Sequence, residues 1–92
     1  DRDDVSYSAR MTGTAQPETI HILNISACGL MGVSDAAVVV GQQVAFDLPT
    51  LAEPVEARVA WAPGGRIGAR FLKPIGLASY LLLLAELVKQ TR

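Results

Sequence analysis

The sequence predicts an all-β-dominated fold, a small antiparallel β-barrel of five or six short strands with one C-terminal α-helix. Three observations predict it. Apolar and polar residues alternate between Val5 and Phe71, turn-forming residues interrupt that alternation at fairly even intervals, and after Pro74 the apolar period lengthens from two to between three and four. Several short strands followed by a single helix fit a sheet closed on itself, because closure removes exposed sheet edges. At 92 residues the chain is one domain, 1–92, read as an N-terminal segment 1–4, a barrel 5–73 and a helix 76–90.

Each element has its own signal. Val5, Tyr7, Ala9 and Met11 alternate with Ser6, Ser8 and Arg10, giving a half-buried strand that ends at Gly13. Thr19 to Ile25 is rich in β-branched residues and reads as a second strand covered on both sides. Asn24 to Gly29 then forms a turn, and Gly29 to Val33 a short apolar strand ended by Ser34-Asp35. Residues 36–40 are an apolar linker. Val44, Phe46 and Leu48 alternate up to the stop at Pro49. Val55, Ala57, Val59 and Trp61 face one way and pair, through Pro63-Gly64-Gly65, with a strand carrying Ile67, Ala69 and Phe71, a hairpin. At these strand spacings Phe46, Trp61 and Phe71 read as core.

From Leu77 the residues Leu77, Leu81, Leu84, Ala85 and Val88 recur at helical spacing, with Lys89 and Arg92 suited to the negative end of the helix dipole. Leu81 to Leu84 are consecutive, however, and point around nearly the whole circumference. At least one of them must be exposed or covered by a partner, which makes a homodimer through this helix an expectation.

Composition narrows the function. Eight Lys and Arg against nine Asp and Glu give a net charge of −1, so no general field attracts DNA or RNA, and an anion must be held by a few locally placed arginines. The longest apolar run, 80–85, is far below the ~18–20 residues that span a bilayer, so membrane insertion is not expected. One cysteine, Cys28, cannot form an internal disulfide, and a reducing cytoplasmic setting is expected. Beginning at Asp1 rather than Met, the chain reads as a piece of a longer protein.

Catalysis finds little support. Cys28 would need His21 as its base, and seven extended residues separate them by roughly 23 Å unless a turn intervenes. One Cys and one His make no metal site, and Asp3-Asp4 reads as solvated charge. Gly64 to Gly68 lacks the Lys-Ser/Thr end and following helix of a phosphate loop. No enzyme, no cofactor and no metal are expected. The pattern above background is Asn24-x-Ser26-x-x-Gly29 at a strand end, with Arg2 upstream. Arg offers a planar fork to phosphate or a guanine edge, Asn and Ser offer short donors and acceptors, and Gly lets backbone approach closely. The same residues also make ordinary turns.

At these residues the sequence resembles the PilZ domain, a bacterial receptor module for the second messenger cyclic di-GMP. Asn24-Ile25-Ser26-Ala27-Cys28-Gly29-Leu30 is similar to its [Asp/Asn]-x-Ser-x-x-Gly motif, Gly41-Gln42-Gln43-Val44 to its middle strand entry, and Val59-Ala60-Trp61 with Gly65 to Phe71 to its late hairpin. The resemblance implies a small six-stranded antiparallel β-barrel with one C-terminal α-helix, a cyclic di-GMP receptor whose N-terminal segment orders over the ligand and changes contacts with an effector protein or fused domain. It implies ligand contacts at Arg2, Asn24, Ser26 and Gly29, with Arg10, Cys28 and Arg66 as secondary candidates. The family carries Arg-x-x-x-Arg, and Arg2 stands where its second arginine would; the first has no counterpart in this sequence. Two readings follow: a receptor whose first arginine lies upstream, or a degenerate PilZ-like adaptor that binds no nucleotide and acts through protein contacts. Cys28 stands where the family often has Gly.

Overall fold

A computed structural model of the chain describes residues 2–91. Asp1, and Arg92 of the expected helix end, lie outside the described residues. Six strands run β1 (Asp3–Thr12), β2 (Glu18–Ser26), β3 (Gly29–Val33), β4 (Gln43–Phe46), β5 (Val55–Trp61) and β6 (Arg66–Phe71), followed by helix α1 (Leu77–Thr91). The strands close an antiparallel barrel in the order β1-β2-β3-β6-β5-β4, with β4 returning to β1 through Met11 opposite Phe46. The first strand starts at Asp3 rather than Val5, since Asp3 and Asp4 already pair with Ile25 and Asn24. The expected β5–β6 hairpin forms, turning through a short 3-10 segment, Pro63–Gly65, where Gly64 and Gly65 have φ of 63° and 82°. Only glycine enters that region at little cost.

Inside the barrel lie Met11, Ile20, Ile22, Ile25, Leu30, Val44, Phe46, Val59 and Ile67, each at most 2% exposed. Strand β2 does not obey strict alternation, and the departure shapes the site. Its buried residues are Ile20, Ile22 and then Ile25, because the ladder to β3 pairs Ile22 with Gly32 and Asn24 with Met31, leaving Leu23 as an extra residue. This bulge reverses the phase of the strand. Without it Asn24 and Ser26 would continue the inward series 20, 22, 24, 26; with it they leave the core, and Ile25 takes the inward place. The strand is also covered on one side only, since Thr19 and His21 are exposed. The expectation of two covered faces came from β-branched content, which measures fit to a pleated surface rather than burial.

Helix α1 packs against β1 and closes one side of the barrel. Its buried residues are Tyr80, Leu83 and Leu87, at i, i+3 and i+7, not the expected stripe of Leu77, Leu81, Leu84, Ala85 and Val88. Four consecutive leucines supply an apolar residue in every direction, so the choice of inward face falls to the residue with an additional partner. That residue is Tyr80, whose hydroxyl donates to Asp3 Oδ2 at 2.6 Å and lies 3.1 Å from the carbonyl oxygen of Ile25. Leu77, Leu81, Leu82 and Val88 are left 47–74% exposed.

Burial first, then the hydrogen bond to Asp3 and the charge of Asp3, push the Tyr80 phenol well above its ordinary value. A raised phenol value means that the folded state holds its proton longer than the unfolded chain does. Its contribution to stability is therefore complete below pH ~10, where an unfolded tyrosine titrates, and is lost as pH rises from there toward the folded value. The urea midpoint is expected to fall more steeply above pH ~10 in the natural chain than in Tyr80→Phe; parallel slopes would contradict the assignment.

Candidate ligand site at the β2–β3 turn

Strands β2 and β3 are joined by two residues, Ala27 and Cys28, between the paired Ser26 and Gly29. Neither has a positive φ. The turn is held from outside: the Ala27 carbonyl accepts the Ile75 N–H and the Cys28 carbonyl accepts the Phe71 N–H, both at 2.8 Å. Within it, the Cys28 N–H donates to Ser26 Oγ at 3.1 Å, a local bond that fixes the serine rotamer and leaves its hydroxyl proton to donate elsewhere. Gly29 is required for space rather than for φ. A Cβ there would stand 2.3 Å from the carbonyl oxygen of Ala69 on β6.

Above this turn opens a cavity of about 240 Å³. Gly29, Ala60, Trp61, Gly68 and Ala69 line it with small and apolar groups, and Arg2, Ser26, Cys28 and Arg70 with polar ones. Trp61 is not a core residue. The β5–β6 register shifts between Val59 and Trp61, which takes Trp61 out of the inward series of Ala57 and Val59. Its indole lies over Gly68, where a Cβ would come within 2.2 Å of the ring. A half-buried indole laid against the Gly68 backbone is the result.

The polar groups come from separate segments. Arg2, just before β1, is exposed and donates from Nη1 to Asn24 Oδ1 at 3.0 Å. Asn24 does not line the cavity; it holds Arg2 at the edge. Arg70 projects from β6 beside Gly29, is exposed, and makes no hydrogen bond or ion pair among the described residues. Arg58 is its direct cross-strand neighbour. Two like charges opposite each other disfavour the bare sheet slightly and favour a bound anion. A chain of net charge −1 thus gathers positive charge at one place.

Of the residues expected from the sequence, Arg2, Ser26, Cys28 and Gly29 meet at this cavity, and Asn24 stands one contact away. Arg10 lines a separate depression of about 410 Å³ with Ser8 and Thr19. Arg66, opposite Val33, is four residues along β6 from Arg70, roughly 13 Å away. His21 sits on the outer β1–β2 face with its ring nitrogens 2.9 Å from Ser6 Oγ and 3.3 Å from Ser8 Oγ, away from Cys28. Sequence reasoning missed Trp61 and Arg70 as lining residues. Arg70 becomes visible only once β6 is placed beside Gly29, and Trp61 only once the β5 bulge is known.

No family model and no curated protein matches the sequence. Among solved structures, the PilZ domain of CeSA from a cellulose-synthesizing bacterium superposes on 100% of this chain and 99% of its own, with a TM-score of 0.66 at 13% identity. The fold is that of a PilZ domain. At 13% identity the likeness is one of backbone, and it spans the PilZ fold from end to end, barrel and terminal helix together. The fold expected from the Asn24-to-Gly29 motif and the late hairpin is the one the chain adopts. Among the described residues no helix of this PilZ fold is long and apolar enough to cross a membrane.

Proposed function

We propose that this chain is a cytoplasmic cyclic di-GMP receptor domain. The observation that carries the reading is the convergence of Arg2, Ser26, Trp61 and Arg70, from four separate segments, on one cavity at the β2–β3 turn. Their chemistry matches a guanine dinucleotide. A guanidinium forks onto phosphate oxygens or the O6/N7 edge of guanine, an indole face stacks a base, and a serine hydroxyl donates to a phosphate. Its volume of about 240 Å³ is below the ~300–1,000 Å³ of pockets that enclose a drug-sized ligand. The nucleotide therefore lies across the rim, with one base on Trp61 and its phosphates toward the arginines.

Signalling follows from what Arg2 must give up. Asp3 and Asp4 already belong to β1, so the ligand-induced change falls on Arg2, which exchanges Asn24 for the nucleotide, and on any chain upstream of it. That exchange alters the surface offered to an effector protein or fused domain. The domain supplies binding and no catalysis.

Ser26→Ala tests the site with little disturbance of the barrel. Calorimetric titration of cyclic di-GMP is expected to show affinity reduced about tenfold or more, the loss of roughly one hydrogen bond to a charged group, with an unfolding midpoint close to that of the natural chain. Unchanged affinity would remove Ser26 from the site.

The exposed apolar face of α1 favours a second reading, a PilZ-like adaptor acting by protein contact with an effector or a second copy. Leu77, Leu81 and Val88 form that face, and Leu82 is exposed about 100° further round the helix. Under this reading Leu81→Lys abolishes association measured by sedimentation and leaves nucleotide titrations flat in both proteins.

A further inference from the structure

We infer that Tyr80 is a positioning residue for Arg2, holding the first residue of β1 so that the guanidinium stands at the cavity edge. Asp3 and Ile25 face each other as the first described pair of the β1–β2 ladder, and the Tyr80 hydroxyl reaches both, the Asp3 carboxylate at 2.6 Å and the Ile25 carbonyl oxygen at 3.1 Å. The phenol therefore bridges the end of the ladder from the outside. The next pair is Asp4 with Asn24, and Asn24 is the residue that accepts from Arg2. One peptide bond separates the residue Tyr80 holds from the residue that reaches the ligand.

A strand end is where a sheet opens most readily, because its last pairs are supported from one side only. Arg2 is exposed and has Asn24 as its hydrogen-bond partner, so its direction depends on whether Asp3 stays in the ladder. Tyr80 supplies the second support. It is 8% exposed and packs in the core with Leu83 and Leu87, which makes it a rigid anchor. An arginine held near its bound position loses less freedom on binding than a free one.

The inference rests on the cyclic di-GMP reading only for its consequence; the positioning itself is read without ligand. In Tyr80→Phe, which keeps the ring, amide hydrogen exchange at Asp3 and Asp4 is expected to accelerate roughly tenfold and the Asn24 side-chain amide signals to shift, while the amides of Ile20, Val44 and Ile67 keep their protection. Asp3→Ala is expected to reproduce this, and Asp3→Asn, which retains an acceptor, to restore most of it. Cyclic di-GMP affinity is expected to fall about three- to tenfold in Tyr80→Phe, and no further when the same change is made in Arg2→Ala. Unchanged exchange and unchanged Asn24 signals would overturn the positioning role, as would an equal loss of affinity in the presence and absence of Arg2. A natural chain that does not bind cyclic di-GMP, with the exchange effects intact, would instead overturn the ligand reading and leave the clip established.

Discussion

Replacing Arg70 with alanine is expected to lower cyclic di-GMP affinity more than replacing Arg2, and replacing both to lower it by more than a hundredfold. A charge-assisted hydrogen bond contributes ~1.5–3 kcal/mol, which is about tenfold to more than a hundredfold in affinity. The two arginines differ in what binding costs them. Arg2 surrenders its 3.0 Å bond to Asn24 before it can grip a ligand, so part of its gain is offset. Arg70 makes no competing bond among the described residues and stands opposite Arg58, so an arriving phosphate also relieves repulsion between the two. Both side chains are exposed, so their removal leaves the barrel's stability nearly unchanged. Calorimetry on the single and double variants measures the order directly. Arg2→Ala losing more than Arg70→Ala would show that the dominant grip is not on β6.

The second large effect concerns neighbours in the leucine run. Leu83→Ala is expected to cost ~2–5 kcal/mol, because Leu83 is fully buried between α1 and the barrel and its removal leaves a cavity there. A domain of this length has roughly 5–14 kcal/mol in total, so the variant loses a large share of its stability. Leu82→Ala, at a residue 67% exposed, is expected to stay within ~0.5 kcal/mol. Urea denaturation of the pair separates the inward face from the outward one by one residue. For the same reason Leu81→Lys, at a residue 55% exposed, tests a helix-mediated partner, whereas Leu83→Lys would bury a charge and test only folding. Equal midpoints for the two alanine variants would mean that α1 packs through another face.

The barrel was legible because its simplest hairpin is so regular. Val55, Ala57 and Val59, then Pro63-Gly64-Gly65, then Ile67, Ala69 and Phe71 leave one pairing, and the structure has it. The motif at Asn24 was legible as a set of residue types, yet its geometry was not. Whether Asn24 and Ser26 face outward depends on one extra residue at Leu23, and alternation cannot locate a bulge that conceals itself among β-branched neighbours. The same limit hid Trp61, turned from core to cavity wall by the register shift after Val59. Arg70 was invisible for another reason: an outward arginine on a strand looks solvated until the strand beside it is known to carry Gly29. On α1 a uniformly apolar run contained no information about direction. The inward face follows from Tyr80 and its long-range bond to Asp3, 77 residues away, which no local pattern encodes.

The central claim is that the cavity between Arg2, Ser26, Trp61 and Arg70 binds cyclic di-GMP. Isothermal titration of cyclic di-GMP into this chain, run beside the Arg2→Ala/Arg70→Ala double variant, tests it most directly. The expected result is a saturable heat for the natural chain that disappears in the variant while both remain folded. A flat titration for the natural chain, or the same isotherm for both proteins, would contradict it.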